Sequence, residues 1–248
     1  MSLKKYKKFT RGYYLLGIAS IIFVGYSMIC VFYHFQDVLR SDRLMPVRAV
    51  VVDGVLKYLS RKDIADITGR TAAGSNITTL DTEEVRSALM QNPWIASASV
   101  KKKMPDTLDV SVVEHVPAAY FNHGLFDAKT REPFYPNMRD FKEPLVKLEA
   151  THDYLAPTVY DQTVKFISEF QNTPYEVVKV KLDSARGYHV TLSNGIELRL
   201  GRDEAKNPLS QRIKTFIEAF SKTDIDVNNV EYVDLRYDSG FSIGWKNK

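Results

Sequence analysis

The pattern of apolar and polar positions begins with one long uncharged stretch. Residues 12–36 contain no Asp, Glu, Lys or Arg, and a helix rising about 1.5 Å per residue needs about 20 such residues to cross the hydrocarbon core of a bilayer. Tyr13 and Tyr33 lie near its two ends, where interfacial aromatic residues are expected. The stretch is longer than the apolar part of a cleaved signal peptide and lacks a small-residue cleavage site. We predict an uncleaved transmembrane helix over residues 12–35.

Shorter periodic segments follow between residues 46 and 113. A run rich in valine ends at an Asp53-Gly54 turn, which is typical of a strand. Two short amphipathic helices come next, the first with Ser60 as N-cap and Asp63 completing a capping box. Two alternating strands then flank a Met-Pro-Asp-Thr turn. The pattern predicts a β-α-α-β-β unit.

The rest of the chain reads as strands with two helices across them. Two alternating segments flank Asn194-Gly195, the strongest short-range hairpin signal. Apolar residues recur at helical spacing after Asn207-Pro208 and again earlier in the chain. The earlier stripe consists of Tyr160, Val164, Ile167 and Phe170. The chain closes with a second predicted hairpin around residues 237–240.

The charge distribution sets the expected orientation. The chain carries 34 basic and 30 acidic residues, and five of the basic ones lie within the first eleven positions. Without those five, 29 basic residues face 30 acidic ones, so the body is nearly neutral and shows no footprint for nucleic acid. Basic flanks stay on the cytoplasmic side of a span. We therefore expect a cytoplasmic tail at residues 1–11 and export of everything after the helix.

The residues that commonly carry chemistry are sparse and scattered. The only cysteine, Cys30, lies inside the predicted span, so the exported part can form no disulfide. The five histidines lack ligand spacing, and the sequence has no glycine-rich phosphate loop and no hydrolase nucleophile motif. We expect no metal, no cofactor and no catalytic residues, and hence a non-enzyme.

Several short motifs, taken in order, resemble the FtsQ/DivIB family of bacterial cell-division proteins. Each is weak alone, but together they extend from the anchor nearly to the end of the chain. They are Val50-Val51-Val52-Asp53-Gly54, Asn92-Pro93-Trp94-Ile95, Pro105-Asp106-Thr107-Leu108, Glu114-His115-Val116-Pro117, Leu200-Gly201-Arg202 and Tyr232-Val233-Asp234-Leu235-Arg236-Tyr237.

The resemblance implies an α+β fold with a single N-terminal transmembrane helix. A POTRA domain over residues 46–115 would follow, and then a C-terminal β-rich domain over residues 116–248 with helices packed on an antiparallel sheet. It implies a scaffold in the inner membrane, at the division septum, that links cytoplasmic and periplasmic divisome components. The scaffold would help to control divisome assembly at the septum. Its partners would be FtsB and FtsL, and upstream and downstream divisome proteins would contact the POTRA domain.

The expected partner surface is the last hairpin, because a terminal strand forms a sheet edge with unpaired backbone groups to which a partner strand can add. The resemblance points to the same stretch. The candidate contacts are Tyr237, Ser239, Gly240 and Phe241, with Arg186 as a charged neighbour for an acidic partner helix. By strand periodicity, Phe241 shares with Ile243 and Trp245 a face that we expect to be core.

In the POTRA-like unit the resemblance points to Val100, Lys102 and Glu114 as recruitment residues. Sheet packing for Val100 and a solvated strand face for Lys102 and Glu114 are equally open interpretations.

Two other classes of protein compete with the scaffold. A membrane-tethered periplasmic cell-wall enzyme would need a paired-carboxylate or metal cleft. A POTRA module of an outer-membrane assembly factor would need a long barrel, for which the chain has no room.

Overall fold

The computed structural model describes residues 11–40, 45–139, 141–222, 225–238 and 240–246. The chain forms two compact units. The first comprises the residues up to Leu89 together with Ala98–Val112, and the second comprises Met90–Ser97 together with the residues from Val113 onward.

The first element is helix α1, Arg11–Arg40. Within it, the segment Leu15–Gln36 is long and apolar enough to cross a membrane, by length and composition. Its side chains from Leu15 to Phe35 pack against no other part of the described chain and are exposed. The predicted single apolar helix at the N-terminus is confirmed. The rest of the expected tail, residues 1–10, lies outside the described residues.

The segment after α1 has the predicted β-α-α-β-β order. Its elements are β1 (Ala49–Asp53), α2 (Arg61–Thr71), α3 (Thr82–Met90), β2 (Ile95–Lys103) and β3 (Thr107–Glu114). The strands form a sheet of order β1-β3-β2, in which β1 is parallel to β3. Ser60 caps α2 through the predicted capping box with Asp63, and Asp81 caps α3 by accepting from the backbone N–H of Glu83 at 2.8 Å.

The second unit is built on one nine-stranded sheet. The strands are β4 (Pro117–Phe121), β5 (Gly124–Asp127), β6 (Glu132–Phe134), β7 (Lys147–Ala150), β8 (Val177–Leu182), β9 (Tyr188–Leu192), β10 (Glu197–Gly201), β11 (Val230–Asp234) and β12 (Ser242–Trp245). Their order in space is β12-β11-β10-β9-β8-β7-β4-β5-β6. The predicted hairpins β9–β10 and β11–β12 are both present and antiparallel.

The sheet is mixed, which corrects the expectation of an antiparallel one. The pairs β4–β7, β7–β8 and β10–β11 are parallel. Two of these pairs are joined by crossover helices, β7–β8 by α4 (Ala156–Glu169) and β10–β11 by α5 (Leu209–Lys222). Parallel neighbours require such long connections. The α+β class with helices packed on a sheet is confirmed.

Both helices pack on the same face of the sheet, because residues of α4, α5 and the strands form one hydrophobic core. Phe166 and Phe216 are almost completely buried there. The predicted stripe of α5 is buried as expected. That of α4 is only partly right, because Tyr160 packs against this core and Phe170, directly after the helix, is buried. Val164 and Ile167 are 49% and 46% exposed, and the buried face of α4 carries other residues. Neither α4 nor α5 lies on the opposite face of the sheet, and we call it the helix-free face.

Candidate functional site

The terminal strand β12 lies at an edge of the nine-stranded sheet, as predicted. It pairs only with β11, in the register Asp234↔Ser242 and Val233↔Ile243. Among the described residues, no strand pairs with its outer side. Backbone N–H and C=O groups along such an edge can form a ladder with an added strand.

The loop that leads into β12 presents the residues expected to contact a partner. Tyr237 is 55% exposed, and the Asn207 side-chain amide donates to its backbone carbonyl at 3.4 Å. Gly240 has a φ of +153° and open space where a side chain would begin. Ser239, between them, lies outside the described residues. The loop is thus tied to the segment before α5 while the Tyr237 side chain stays accessible.

The expected apolar face of β12 is only partly buried. Phe241 and Ile243 pack against the core, and the Phe241 ring lies 6.2 Å from that of Phe220. Trp245 is 54% exposed, so its predicted core position is wrong. The β11–β12 register shifts between Val230 and Tyr232, which breaks strict alternation near the end of the strand. An exposed tryptophan therefore flanks the open edge.

Arg186 lies in the tight turn between β8 and β9, with a φ of +65°. Its backbone N–H donates to the carbonyl of Asp183 at 3.0 Å, and the Asp183 carboxylate accepts from the N–H of Gly187 at 2.7 Å. The Arg186 side chain is exposed and makes no ion pair with any described residue. The turn holds this cation in solvent.

The Arg186 turn and the loop into β12 lie at the same end of the sheet. Ala185 and Gly187, on either side of Arg186, line a cavity of about 350 Å³ together with Arg236, the neighbour of Tyr237. Arg236 forms a two-point ion pair with Asp234, at 2.8 Å from Nε to Oδ1 and 2.6 Å from a terminal nitrogen to Oδ2. Hydrogen bonds from Arg236 lower the pKa of Asp234 and outweigh its burial. The predicted charged neighbour and the loop are therefore close.

Sequence reasoning missed a row of side chains beside the edge on the helix-free face. The Arg199 guanidinium lies 3.6 Å from the centre of the Tyr232 ring, and that ring covers Gly244 of β12 so closely that a Cβ there would collide with it. Arg199 also donates to Glu197 at 3.1 Å. Glycine at a strand position often marks such a close approach, and this was the signal available in the sequence.

The three residues assigned to the POTRA-like unit are not equivalent. Val100 is half-buried on β2. Lys102 is exposed, and its Nζ donates to the carbonyl of Thr78 at 3.0 Å. Glu114, at the end of β3, is only 7% exposed, so the expectation of a solvated Glu114 is wrong. Val100 and Lys102 belong to the first compact unit and Glu114 to the second.

The described surface offers a backbone ladder and recognition side chains more than it offers reaction chemistry. Among the residues that the structure describes, no group of three His, Cys, Asp or Glu side chains could hold a metal ion. The edge of β12, the exposed Tyr237 and the unpaired Arg186 cation are suited to bind a polypeptide by strand addition.

Comparisons with known proteins agree across most of the chain. Residues 45–115 match the POTRA domain, FtsQ-type, and residues 128–236 match the C-terminal domain of cell division protein FtsQ/DivIB. The cell division protein FtsQ of Aliivibrio fischeri is 32% identical over 207 residues, which cover 84% of this chain and 78% of the relative. That of Shewanella oneidensis is 30% identical over 94% of this chain and 84% of the relative, and that of Escherichia coli is 26% identical over 84% and 75%.

Proposed function

The chain belongs to the FtsQ/DivIB family of cell-division proteins, and we propose that it is a non-catalytic scaffold that captures FtsB and FtsL at the division septum. Its N-terminal tail would lie in the cytoplasm, its helix α1 in the inner membrane and its two compact units in the periplasm. The scaffold would link cytoplasmic and periplasmic divisome components and so control their assembly.

The observation that carries this proposal is the open edge of β12 beside two accessible recognition side chains. A strand of FtsB adds to β12, and its backbone satisfies the outer N–H and C=O groups. Tyr237 supplies apolar contact area and one hydroxyl, a combination that is common in interface anchors. Arg186 pairs with an acidic residue of FtsB and so favours encounter and register.

The POTRA segment, residues 46–115, has a separate role in this proposal. Upstream and downstream divisome proteins contact it through Val100 and Lys102 on β2, which is an edge strand of the three-stranded sheet. Glu114 acts in the same recruitment by holding the end of β3, since it is nearly buried. Residues 116–248 form the FtsB-binding domain.

The test is capture of FtsB by the full-length chain in detergent, with Tyr237→Glu as the central variant. A carboxylate at this position places a desolvated charge in the interface, so we expect capture to fall at least about a hundredfold. Tyr154→Glu is the matched control, because Tyr154 is 70% exposed and lies before α4 rather than beside β12. If a folded Tyr237→Glu variant binds FtsB as the unmodified chain does, the edge-strand proposal is wrong.

Arg186→Glu tests the electrostatic part separately. Because Arg186 has no partner among the described residues, its replacement breaks no ion pair within the described chain. We expect association to slow by about tenfold at low salt and by less at high salt. A decrease that did not depend on salt would indicate that Arg186 acts through the shape of its turn and not through its charge.

A further inference from the structure

A second cavity lies away from β12, at the carboxyl ends of β4, β7 and β8. It measures about 510 Å³ and is lined by residues 122–123, 149–151 and 181–184. The three strands are parallel neighbours. From β4 the chain continues to β5 on one side, and from β7 it crosses through α4 to β8 on the other. Strand ends that diverge in this way leave a crevice where ligands bind in open sheets.

The floor of this cleft is held by Asn122, which has a φ of +48°. Its side-chain amide donates to the carbonyl of Ala150 at 3.1 Å, and its side-chain oxygen accepts from the N–H of Ala150 at 3.2 Å. Its backbone N–H donates to the carbonyl of Leu148 at 3.0 Å. These three bonds fasten the end of β4 to β7, so the cleft is part of the sheet and not of a loose loop.

The helix-free face beside the cleft is positively charged. Lys147 of β7 lies directly opposite Lys179 of β8, and Glu149 lies opposite Lys181. Glu149 is the only acidic residue of the four, and it pairs with Lys179 at 2.7 Å. The opposition of Lys147 and Lys179 is unfavourable in a sheet. Because Glu149 pairs with Lys179, Lys147 and Lys181 form no ion pair with a described residue.

The other carboxylate in the cleft is already occupied. Asp183 accepts hydrogen bonds from the N–H of Gly187 at 2.7 Å and from the His189 ring at 3.2 Å. Burial acts to raise the pKa of Asp183. The hydrogen bonds lower this pKa by a larger amount, so the net shift is downward. By contrast, the side chains of Lys181, His123, Thr151 and Ser184 hydrogen-bond to no other described residue. Each of these free groups can donate a hydrogen bond to a carboxylate, and the Lys181 ammonium can only donate.

We propose that the cleft and Lys147, Lys179 and Lys181 bind an extended acidic segment of a partner protein. Lys179 and Lys181 are two residues apart on one strand, so their side chains project from the same face about 6.6 Å apart. Carboxylates at alternate positions of an extended peptide have the same spacing. One carboxylate of the segment enters the cleft beside Lys181 and the hydroxyls, and the next lies between Lys179 and the unpaired Lys147, which are opposite each other on neighbouring strands.

This surface is separate from the edge at β12, because three strands, β9, β10 and β11, lie between β8 and β12 in the sheet. It does not depend on the proposed capture of FtsB. One scaffold can therefore hold two partners, one along the β12 edge and one across the β7–β8 face.

The test uses the full-length chain in detergent and a fluorescent peptide of four Thr-Glu repeats, with four Thr-Gln repeats as the uncharged probe. We expect the acidic peptide alone to bind, with an affinity that falls as salt rises. The double variant Lys147→Gln/Lys181→Gln removes two unpaired cations and leaves the Lys179–Glu149 pair in place. It should weaken binding by about tenfold, since each exposed ion pair accounts for a few-fold change.

The matched control is Lys165→Gln/Lys214→Gln, which removes the same charge from exposed positions on α4 and α5. It should bind the acidic peptide as the unmodified chain does. Equal weakening by both double variants would overturn the proposal, because the effect would then follow net charge alone. So would failure of the unmodified chain to bind the peptide. A third outcome would reassign the site to a cell-wall polymer. In that case the unmodified chain binds purified peptidoglycan but not the acidic peptide, and the Lys147→Gln/Lys181→Gln variant no longer binds peptidoglycan.

Discussion

At the scale of single residues, Asp127 fixes the start of the second unit. Its carboxylate accepts from the His115 ring at 2.9 Å, from the N–H of Val116 at 3.1 Å and from the N–H of Lys129 at 2.7 Å. The His115 ring in turn stacks on Phe134 at 4.4 Å. Burial acts to raise the pKa of Asp127, and the hydrogen bonds lower it by more, so its pKa lies below the ordinary value. One carboxylate thus joins the entry to β4 with the β5–β6 turn.

Asp127→Asn should lower stability in a pH-dependent way. Because the native pKa is depressed, the stabilisation is present above the unfolded pKa of about 3.9 and is lost as the pH falls through the native value. We expect a loss of about 1–3 kcal/mol at pH 7 that shrinks towards pH 3. Thermal unfolding followed by circular dichroism measures it. Asp161→Asn, at an exposed ion pair with Arg131, is the control and should cost less than about 1 kcal/mol. A loss that stays constant with pH would contradict the assignment.

The contact between Gly244 and the Tyr232 ring gives a second test at this scale. Gly244→Ala adds a Cβ that collides with the ring, so the ring must move off Arg199 and the β11–β12 pairing should weaken by about 1–3 kcal/mol. The double variant Gly244→Ala/Tyr232→Ala removes the obstacle. In urea unfolding, its loss should be smaller than the sum of the two single losses. Additive losses would show that the two residues do not act on each other.

At the scale of elements, the sequence predicted what local periodicity controls. The β-α-α-β-β order, both hairpins and the buried stripe of α5 follow from spacing, caps and the Asn194-Gly195 turn. The open edge of β12 and the exposed Tyr237 were predicted as well. Parallel pairing of β7 with β8 joins strands separated by a whole helix, and nothing in a strand's own alternation distinguishes it from antiparallel pairing.

Helix α4 shows why it was harder to predict which side of a helix packs against the sheet. Apolar residues lie on two sides of it, and the crossover from β7 to β8 decides which side meets the sheet. Val159 and Phe166 face the core. Thr163 is also buried there, because its hydroxyl donates to the carbonyl of Val159 at 2.7 Å. A polar residue on the inner side made the outer stripe appear to be the more apolar one.

Two truncations on α4 distinguish these faces. Phe166→Ala removes a ring that is 1% exposed and should destabilise the unit by about 3–5 kcal/mol through loss of burial and a residual cavity. Ile167→Ala, one position on and 46% exposed, should change stability by about 0.5 kcal/mol or less. Urea unfolding of both variants measures the difference. A larger loss for Ile167→Ala would restore the stripe first predicted from the sequence.

At the scale of the whole molecule, charge and length combine to set the expected topology. Helix α1 has 30 residues and is therefore about 45 Å long, more than the roughly 30 Å of a bilayer's hydrocarbon core. Its ends can thus reach both interfaces. The β12 edge and the β7–β8 face both belong to the second unit, so these two partner surfaces lie in the periplasm only if the basic end of the chain stays in the cytoplasm.

The five basic residues at the N-terminal end provide the test of this topology. A phosphatase that is active only outside the cytoplasm, fused after the last residue, should be active in the unmodified chain. Replacing Lys4, Lys5, Lys7, Lys8 and Arg11 by Gln removes the asymmetry that orients the span. We expect phosphatase activity to fall severalfold. A fluorescent reporter that folds only in the cytoplasm should gain signal at the same position.

Deleting the span as well should leave the phosphatase fusion inactive, which controls for export by another route. An unmodified chain whose cytoplasmic reporter is bright and whose phosphatase is inactive would place both partner surfaces in the cytoplasm, and the scaffold proposal would then be wrong.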